Sequence, residues 1–563
     1  MNINHELLDY FVFHKVIKKK DREKIAAECA DNRTSVLKYA LDNGFCTQAE
    51  ALPALGDFYN YAYAEMDAFD VSGKILDRYS PEFLKKIKAV PLFTSPEGVL
   101  SIAVGAPQDF TALSACAVFY TGKREYILVP PEQLDVLIDS LNAVRSTKNA
   151  ITTIKNESDE RLLRFLKSGA ADGERLDEEV LNAPAVRLVD SFIKEAVPFR
   201  ASDIHIEPFE KTVKVRYRID GELQQRAEFP KECYDAIGAR LKIMAGLNIA
   251  ERRIPQDGRI NMSVNGKSYD FRVSSLPTVY GEKFVIRVLD KTSFYFTRAE
   301  LGFTPEENAI VDKMLANPHG IILLTGPAGC GKSTTLYSFL KEKNSPEVNI
   351  ITVEDPVEYT LDGINQVQVN PKANLTFAAA LRSILRQDPD VIMIGEIRDE
   401  ETADIAIRAS ITGHLVLSTL HTNDAPGAFT RLVDMGVGAY LVKDALIGVI
   451  AQRLVKKLCP ICKKRTKTTA DEMKILDISE PATIYKKEGC RFCNHTGYKG
   501  RIAVHEILYT DAAMKAGFTS HMKADDIRAA AERNGMIDLK RSCGRLVLDG
   551  TTDMLELLSI CAQ

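Results

Sequence analysis

The stretch Ile321-Ile-Leu-Leu-Thr-Gly326-Pro327-Ala328-Gly329-Cys330-Gly331-Lys332-Ser333-Thr334-Thr-Leu-Tyr337 decides the fold. An apolar run enters G-x-x-x-x-G-K-S and residues of helical character leave it, the strand–loop–helix context of a phosphate-binding loop. Gly326, Gly329 and Gly331 let backbone N–H groups turn inward around phosphate oxygens. Lys332 can reach the β- and γ-phosphates, and the Ser333 hydroxyl can hold magnesium. The following helix adds the partial positive charge of its N-terminus. An ordinary glycine-rich turn would need neither the apolar strand nor the adjoining Lys-Ser.

Downstream, Asn349-Ile-Ile-Thr-Val353 is an apolar strand that runs into Glu354-Asp355-Pro-Val-Glu358. Val391-Ile-Met-Ile-Gly-Glu396 is a second buried strand closed by an acid. Parallel α/β folds place chemistry at the C-terminal ends of strands. Glu396 is expected to bind magnesium through water, and Glu354 to orient or deprotonate an attacking water. Glu358 and Asp388 are weaker candidates, and the bland alternative is a pair of helix-capping carboxylates. Thr412 to Asp424 then carries His414 and His421 on either side of an apolar strand. A lone histidine is usually a satisfied core residue, but two of the chain's nine histidines in one strand after both nucleotide motifs are read as γ-phosphate sensors.

Upstream, Arg200-Ala-Ser-Asp-Ile-His-Ile-Glu-Pro208 and Lys214-Val-Arg-Tyr-Arg-Ile219 alternate as strands do, and Asp220-Gly221 supplies a hairpin turn. Arginines recur at 216, 218, 252, 253, 259, 272 and 287. They form either a solvated cationic face or a set that reaches a nucleotide on a neighbouring subunit, as trans-acting arginine fingers do. Further on, Cys459-Pro-Ile-Cys462 and Cys490-Arg-Phe-Cys493 have the spacing of a four-thiolate structural zinc site, with a helical insertion expected between the knuckles. Two unrelated redox pairs are the alternative.

With 563 residues the chain has room for roughly three to five domains. A net charge of −4 gives no global signature of a nucleic-acid binder. No apolar run approaches the ~18–20 residues of a transmembrane helix, and the start lacks a secretory signal. Eleven cysteines in so long a chain are not a disulfide framework, so a reducing cytoplasm is expected. The first sixty or so residues read as helical, with Thr47 and Glu50 spaced as a capping box. Strands follow around Pro91, Val99 and Tyr126, then a helix from Pro131. Residues 146–183 are charge-rich and read as a linker.

Together these motifs closely resemble the secretion ATPases that drive type II secretion and type IV pilus assembly, from about residue 184 to the C-terminus. The resemblance implies a multidomain α/β protein with a RecA-like P-loop ATPase core preceded by a PAS-like α/β domain. The divisions expected are an N-terminal helical plus α/β module at 1–145, a linker at 146–183, the PAS-like domain at 184–295 and the ATPase domain at 296–455. A zinc-binding insertion at 456–505 and a helical region at 506–563 complete them. It further implies ATP, magnesium and zinc as ligands, Glu354 as catalytic base, Glu396 as Walker B acid and His414 and His421 as box histidines. Arg216 and Arg218 are the implied arginine fingers. The assembly implied is a homo-hexamer in the cytoplasm, held at the inner membrane by a platform protein and a recruitment protein. Retraction ATPases of the same superfamily lack both the zinc insertion and the long N-terminal region, so assembly or export is expected. Some relatives bind cyclic di-GMP through an R-L-G-x-x-L repeat; Arg33 to Gly44 lacks the Leu-Gly, so that ligand is not carried over. A nucleotide-gated scaffold and the motor of a DNA-uptake pseudopilus are the competing functions, and direct nucleic-acid contact is not expected.

Overall fold

The computed structural model describes residues 3–562 except 32–34, 65–78, 80, 96–97, 106–119, 121, 140, 142–183, 232–233, 265, 291–295, 494 and 519–521. The charged linker therefore lies outside the described residues. The chain forms two compact units. One comprises Met1–Leu289 with Cys459–Cys462 and Glu488–Gly497; the other comprises Asp290–Leu458, Lys463–Lys487 and Tyr498–Gln563.

The first unit begins with helices Ile3–Phe13, Arg22–Asp31, Val36–Asp42 and Gln48–Tyr59. The Glu50 carboxylate accepts the Thr47 N–H at 2.9 Å, closing the capping box that starts the fourth helix. Leu7, Phe11, Ile25 and Ala40 are fully buried between the helices. Strands β1 (Ala62–Tyr63), β2 (Ala89–Thr94), β3 (Val99–Val104) and β4 (Lys123–Leu128) then form a sheet in the order β1-β4-β3-β2. Helix Pro184–Ala196 precedes strands β5 (Asp203–Pro208), β6 (Thr212–Ile219) and β7 (Glu222–Pro230). Helix Tyr234–Ala245 leads to β8 (Gln256–Val264), β9 (Lys267–Thr278) and β10 (Gly281–Asp290). The sheet order is β7-β6-β5-β10-β9-β8. Its period-2 pattern is literal: Ile204, Ile206, Val213, Val215 and Tyr217 face the core at 0% exposure, while acids and bases take the other face. Asp220 and Gly221 turn the β6–β7 hairpin with φ of 49° and 89°, the left-handed pair that a two-residue loop demands.

The second unit is built on β11 (Gly320–Thr325), β12 (Ile350–Glu354), β13 (Asn365–Gln368), β14 (Val391–Ile394), β15 (Leu415–Leu420) and β16 (Leu446–Leu458). After these come the short pair β17 (Lys464–Lys467) and β18 (Thr483–Lys486), and then β19 (Tyr498–Tyr509). The main sheet runs β13-β12-β14-β15-β11-β16-β19, with β19 antiparallel to β16 and the others parallel. Strands β11, β12, β14 and β15 are buried along their whole length, as strands covered on both faces must be. Alternate residues serve two cores. Ile322 and Leu324 pack with Leu336 and Phe339 on one face, and Ile321 and Leu323 with Ala403 and Ala406 on the other.

The segment between the cysteine pairs holds helix Ala470–Leu476, as expected, and also the β17–β18 hairpin. Strand β19 continues to Tyr509 and β16 reaches Leu458, so the edges drawn at 456 and 505 fall inside two strands of the main sheet. Helices Ala524–Arg533, Leu539–Leu548 and Met554–Cys561 end the chain. Among the described residues, no helix is long and apolar enough to cross a membrane.

Candidate functional site

Strand β11 ends in the phosphate loop, and helix Lys332–Lys343 begins at its far side. Gly326, Gly329 and Gly331 have φ of 142°, 77° and 91°, so each glycine read from sequence sits where other residues are strained. A Cβ on Gly326 would stand 2.4 Å from the Gln452 carbonyl oxygen and 2.7 Å from Cys330 Sγ. The loop is thus a backbone cradle at a helix N-terminus, which suits phosphate. Lys332 Nζ donates to the carbonyls of Gly326 at 2.7 Å and Pro327 at 3.0 Å. Burial lowers its pKa, against the opposing pull of Cys330 and Glu396. Ser333 is exposed on the first helical turn, where its hydroxyl is open to a metal–phosphate group, and Thr334 follows it half-buried. Cys330 is 3% exposed and burial raises its thiol pKa, so it packs as a small apolar residue.

Glu354 closes β12 at 4% exposure and is held by three donors. Thr352 Oγ1 donates to Oε1 at 2.5 Å and Gln366 Nε2 to the same oxygen at 3.0 Å, while the Tyr337 hydroxyl donates to Oε2. Burial first, and then the Glu354 charge, push the Tyr337 phenol far above its ordinary pKa, so it remains a donor. Glu396 follows β14, one strand over. The Gly395 N–H bonds the Val353 carbonyl at 2.8 Å, which locks the two strand ends together. Burial works to raise the Glu396 pKa, but hydrogen bonds from Arg398 and His421 outweigh it and hold the group below its usual range. Arg398 Nη2 lies 2.6 Å from Oε1, and His421 Nε2 lies 3.3 Å from Oε2.

The structure separates the two histidines. His421 follows β15 at the end shared with the phosphate loop. His414 precedes β15, where its carbonyl accepts the Gly320 N–H at 3.1 Å and its Nδ1 sits 3.0 Å from the Ala409 carbonyl. A strand of this length puts about 20 Å between its ends. His414 therefore caps helix Glu400–Ile411 and is not brought to the loop. Asp388 is also remote, its carbonyl accepting Asn349 Nδ2 before β12 begins.

Arg216 and Arg218 lie on the charged face of the six-stranded sheet, in the first unit. There two acids of β5 are each clamped between cations of the adjacent strands. Glu207 meets Arg216 at 2.6 Å and Lys283 at 2.8 Å; Asp203 meets Arg287 at 3.2 Å and Arg218 at 3.8 Å. Of the other arginines, Arg252 pairs with Asp235 and Arg253 with Glu251.

Cys459, Cys462, Cys490 and Cys493 converge, with all four sulfurs within 4.8 Å of one another. Three Sγ–Sγ separations are 3.9, 3.8 and 3.8 Å. A tetrahedron with zinc–sulfur bonds of about 2.3 Å has edges of about 3.8 Å, so the cluster fits the ion. Backbone N–H groups of Gly489, Cys490 and Gly497 point at the sulfurs at 3.1 to 3.3 Å, as a thiolate cluster needs.

Sequence reading missed the residues that hold the site in shape. Gln452, 1% exposed on β16, donates to the Cys330 carbonyl at 2.7 Å and accepts from Thr335 Oγ1 at 2.8 Å. Arg453 beside it donates to the Asn423 carbonyl at 2.7 Å, joining this strand to the loop after His421. Tyr337 and Gln366 were equally invisible. The polar pair Gln452-Arg453 inside an otherwise apolar run was the one available signal.

Residues 178–559 match the family described as type II/IV secretion system protein, and residues 59–147 match the MshEN domain. The latter range begins downstream of Arg33 to Gly44. The chain is 39% identical over 560 residues to the type IV pilus assembly ATPase PilB of Myxococcus xanthus, covering 98% of each. It is 50% identical over 344 residues to the type II secretion system ATPase E of Vibrio cholerae, covering 61% of this chain and 68% of that one. Among solved structures, the ATPase DotB of Yersinia pseudotuberculosis overlaps with a TM-score of 0.52 at 19% identity, over 69% of this chain and 94% of that one, a likeness of fold.

Proposed function

The chain belongs to the type II/IV secretion system protein family, and we propose that it is an ATP-hydrolysing hexameric motor that assembles a type IV pilus or a type II secretion pseudopilus. One observation carries this reading: the phosphate loop, Glu354, and Glu396 with His421 meet at the C-terminal ends of the neighbouring parallel strands β11, β12, β14 and β15.

In this reading Lys332 leaves the Gly326 and Pro327 carbonyls for the β- and γ-phosphates of ATP. The Ser333 hydroxyl and, through water, Glu396 hold magnesium, which neutralises phosphate charge when bound. Glu354 orients the attacking water and draws off its proton. His421 shares Glu396 with Arg398, so a change at the phosphates reaches the loop at 421–424. Arg216 and Arg218 complete the site of a neighbouring subunit after leaving Glu207 and Asp203. The cysteine centre holds zinc as a structural brace. Residues 1–145 recruit the motor through partner proteins to the cytoplasmic side of the inner membrane, where residues 184–295 and 296–455 drive a platform protein.

The test is the rate of ATP hydrolysis against protein concentration, for wild type and Glu354→Ala. A slow rate that rises with assembly and collapses in the variant is expected. A rate proportional to concentration and indifferent to Glu354 would sink the motor reading in favour of a nucleotide-gated scaffold.

A further inference from the structure

The loop that carries His421 is fastened three residues further on, at Asp424. The Asp424 carbonyl accepts from Thr422 Oγ1 at 2.9 Å and from Thr325 Oγ1 at 3.4 Å. Thr325 is the last residue of β11, so the second bond joins this loop to the strand that enters the phosphate loop. The Asp424 carboxylate is held as well. Its Oδ1 accepts the Gly427 N–H at 2.8 Å, and its Oδ2 accepts from Arg528 Nη2 at 2.8 Å. A Cβ on Gly427 would stand 2.6 Å from Oδ1, so the bare glycine makes room for the carboxylate.

Arg528 stands on helix Ala524–Arg533, and its Nη1 donates to Glu506 Oε2 on β19 at 3.0 Å. Glu506 is 1% exposed, and its Oε1 accepts the Ala425 N–H at 2.8 Å. Helix Pro426–Asp434 has no cap from the Ala425 side chain, so these two carboxylates serve its N-terminus instead. One guanidinium neutralises both, and its planar fork can face two acids where a single ammonium would serve one. Among the described residues, no second cation forms an ion pair with Asp424 or Glu506. Without Arg528 the two acids would repel at the start of the helix, and the buried Glu506 would keep an unpaired charge. The His421 side chain is 56% exposed, so packing does little to aim it. Its 3.3 Å approach to Glu396 therefore depends on where the loop backbone is set.

We propose that Arg528 is a positioning residue for ATP hydrolysis: by holding Asp424 and Glu506 together it sets the loop at 421–424 so that His421 meets Glu396. Arg528 acts through the loop and touches no reacting atom. The inference deepens the motor reading and rests on it. It makes the C-terminal helix Ala524–Arg533 part of the support of the phosphate site, through a chain of contacts inside the second unit.

The test uses the full chain with magnesium and ATP, as wild type, Arg528→Gln, His421→Ala and the double variant. Single-turnover hydrolysis gives the rate, nucleotide titration the affinity, and denaturant unfolding the stability. Arg528→Gln should slow hydrolysis about tenfold and leave ATP affinity within about twofold. In the double variant the rate should be no lower than in His421→Ala alone, because the arginine then has nothing to aim. The stability loss from Arg528→Gln should be the same in both backgrounds, so a merely structural arginine would give rate losses that multiply. Multiplying losses, an unchanged rate in either single variant, or a loss confined to affinity would overturn the inference. If Arg528→Gln does not fold, Arg528→Lys keeps the charge and drops one prong. It should show a smaller rate loss that again vanishes without His421, and the same outcomes overturn the inference. A wild type that hydrolyses ATP beside a silent Arg528→Gln overturns the inference alone; a wild type that does not hydrolyse ATP overturns the motor reading, and the inference with it.

Discussion

The Tyr337 hydroxyl donates to the carboxylate of Glu354, tying the helix of the phosphate loop to the candidate base on the neighbouring strand. With Thr352 and Gln366 on the other oxygen, Glu354 has no choice of orientation. Replacing Glu354 by Gln keeps the shape and removes the charge. Turnover should fall about 10²- to 10⁴-fold, with nucleotide affinity nearly unchanged. Tyr337→Phe leaves the charge and loosens its aim, so kcat should fall about tenfold at constant KM. Single-turnover hydrolysis and nucleotide titration separate these effects; an equal loss of affinity would show that the pair shapes the pocket instead.

Gln452 ties the phosphate loop to β16 through two buried hydrogen bonds. Gln452→Leu fills the volume but orphans the Cys330 carbonyl and one bond of Thr335. Each orphaned buried group costs about 1–3 kcal/mol, so denaturant unfolding of the second unit should show a loss of that order. The same variant should bind nucleotide more weakly, because the loop relaxes.

The placement of the loop and of the strand-end acids was legible because the pattern that sets it is local. Three glycines at fixed offsets can mean little else before Lys-Ser, and an apolar run closed by an acid marks the end of a buried parallel strand. His414 was misplaced because the box was read as a unit, although an extended strand carries its two flanks to opposite ends. Gln452 and Tyr337 act on partners that the topology, not the spacing, delivers. The cysteine centre was legible as spacing, and its insertion only in part, because β16 and β19 run through the edges drawn for it.

His505 gives a pH dependence with a definite sign. It is 1% exposed and stacked on Phe303 at 3.8 Å; Glu307 Oε2 lies 3.9 Å from Nδ1, beyond hydrogen bonding. Burial pushes its pKa down to about 3. Above the ordinary histidine value of about 6.5, both folded and unfolded forms are neutral and nothing is lost. Below it the unfolded chain takes up a proton that the folded chain refuses, so stability drops by about 1.4 kcal/mol per pH unit until the folded pKa is reached. His505→Leu should flatten this loss between pH 6 and 4 in chemical denaturation. Parallel curves for variant and wild type would refute it.

The four-sulfur cluster predicts about one zinc per chain by elemental analysis. Cys462→Ser or a strong chelator should remove the ion and loosen Cys459–Cys462 and Glu488–Gly497, read as faster amide exchange there. Nucleotide binding at the phosphate loop should survive. Full protection without zinc would show that packing alone holds the knuckles.

The paired state of Arg216 and Arg218 sets up the test of their role across subunits. Arg216 shields Glu207, whose side chain is only 8% exposed, and Lys283 remains to pair that acid if Arg216 is lost. Arg218 is held more loosely, at 3.8 Å from Asp203, and can be removed with less disturbance. Arg216→Gln/Arg218→Gln should therefore fold, bind nucleotide and hydrolyse it poorly. Glu354→Gln should be equally slow for a different reason. If the arginines serve the neighbouring site of the proposed assembly, mixing the two variants creates some interfaces with an intact base from one chain and intact arginines from the other, and hydrolysis returns to a fraction of the wild-type rate. If they serve their own chain, every mixed site lacks one component and no rate returns. Recovery on mixing thus reports where the arginines act, independently of how much each contributes.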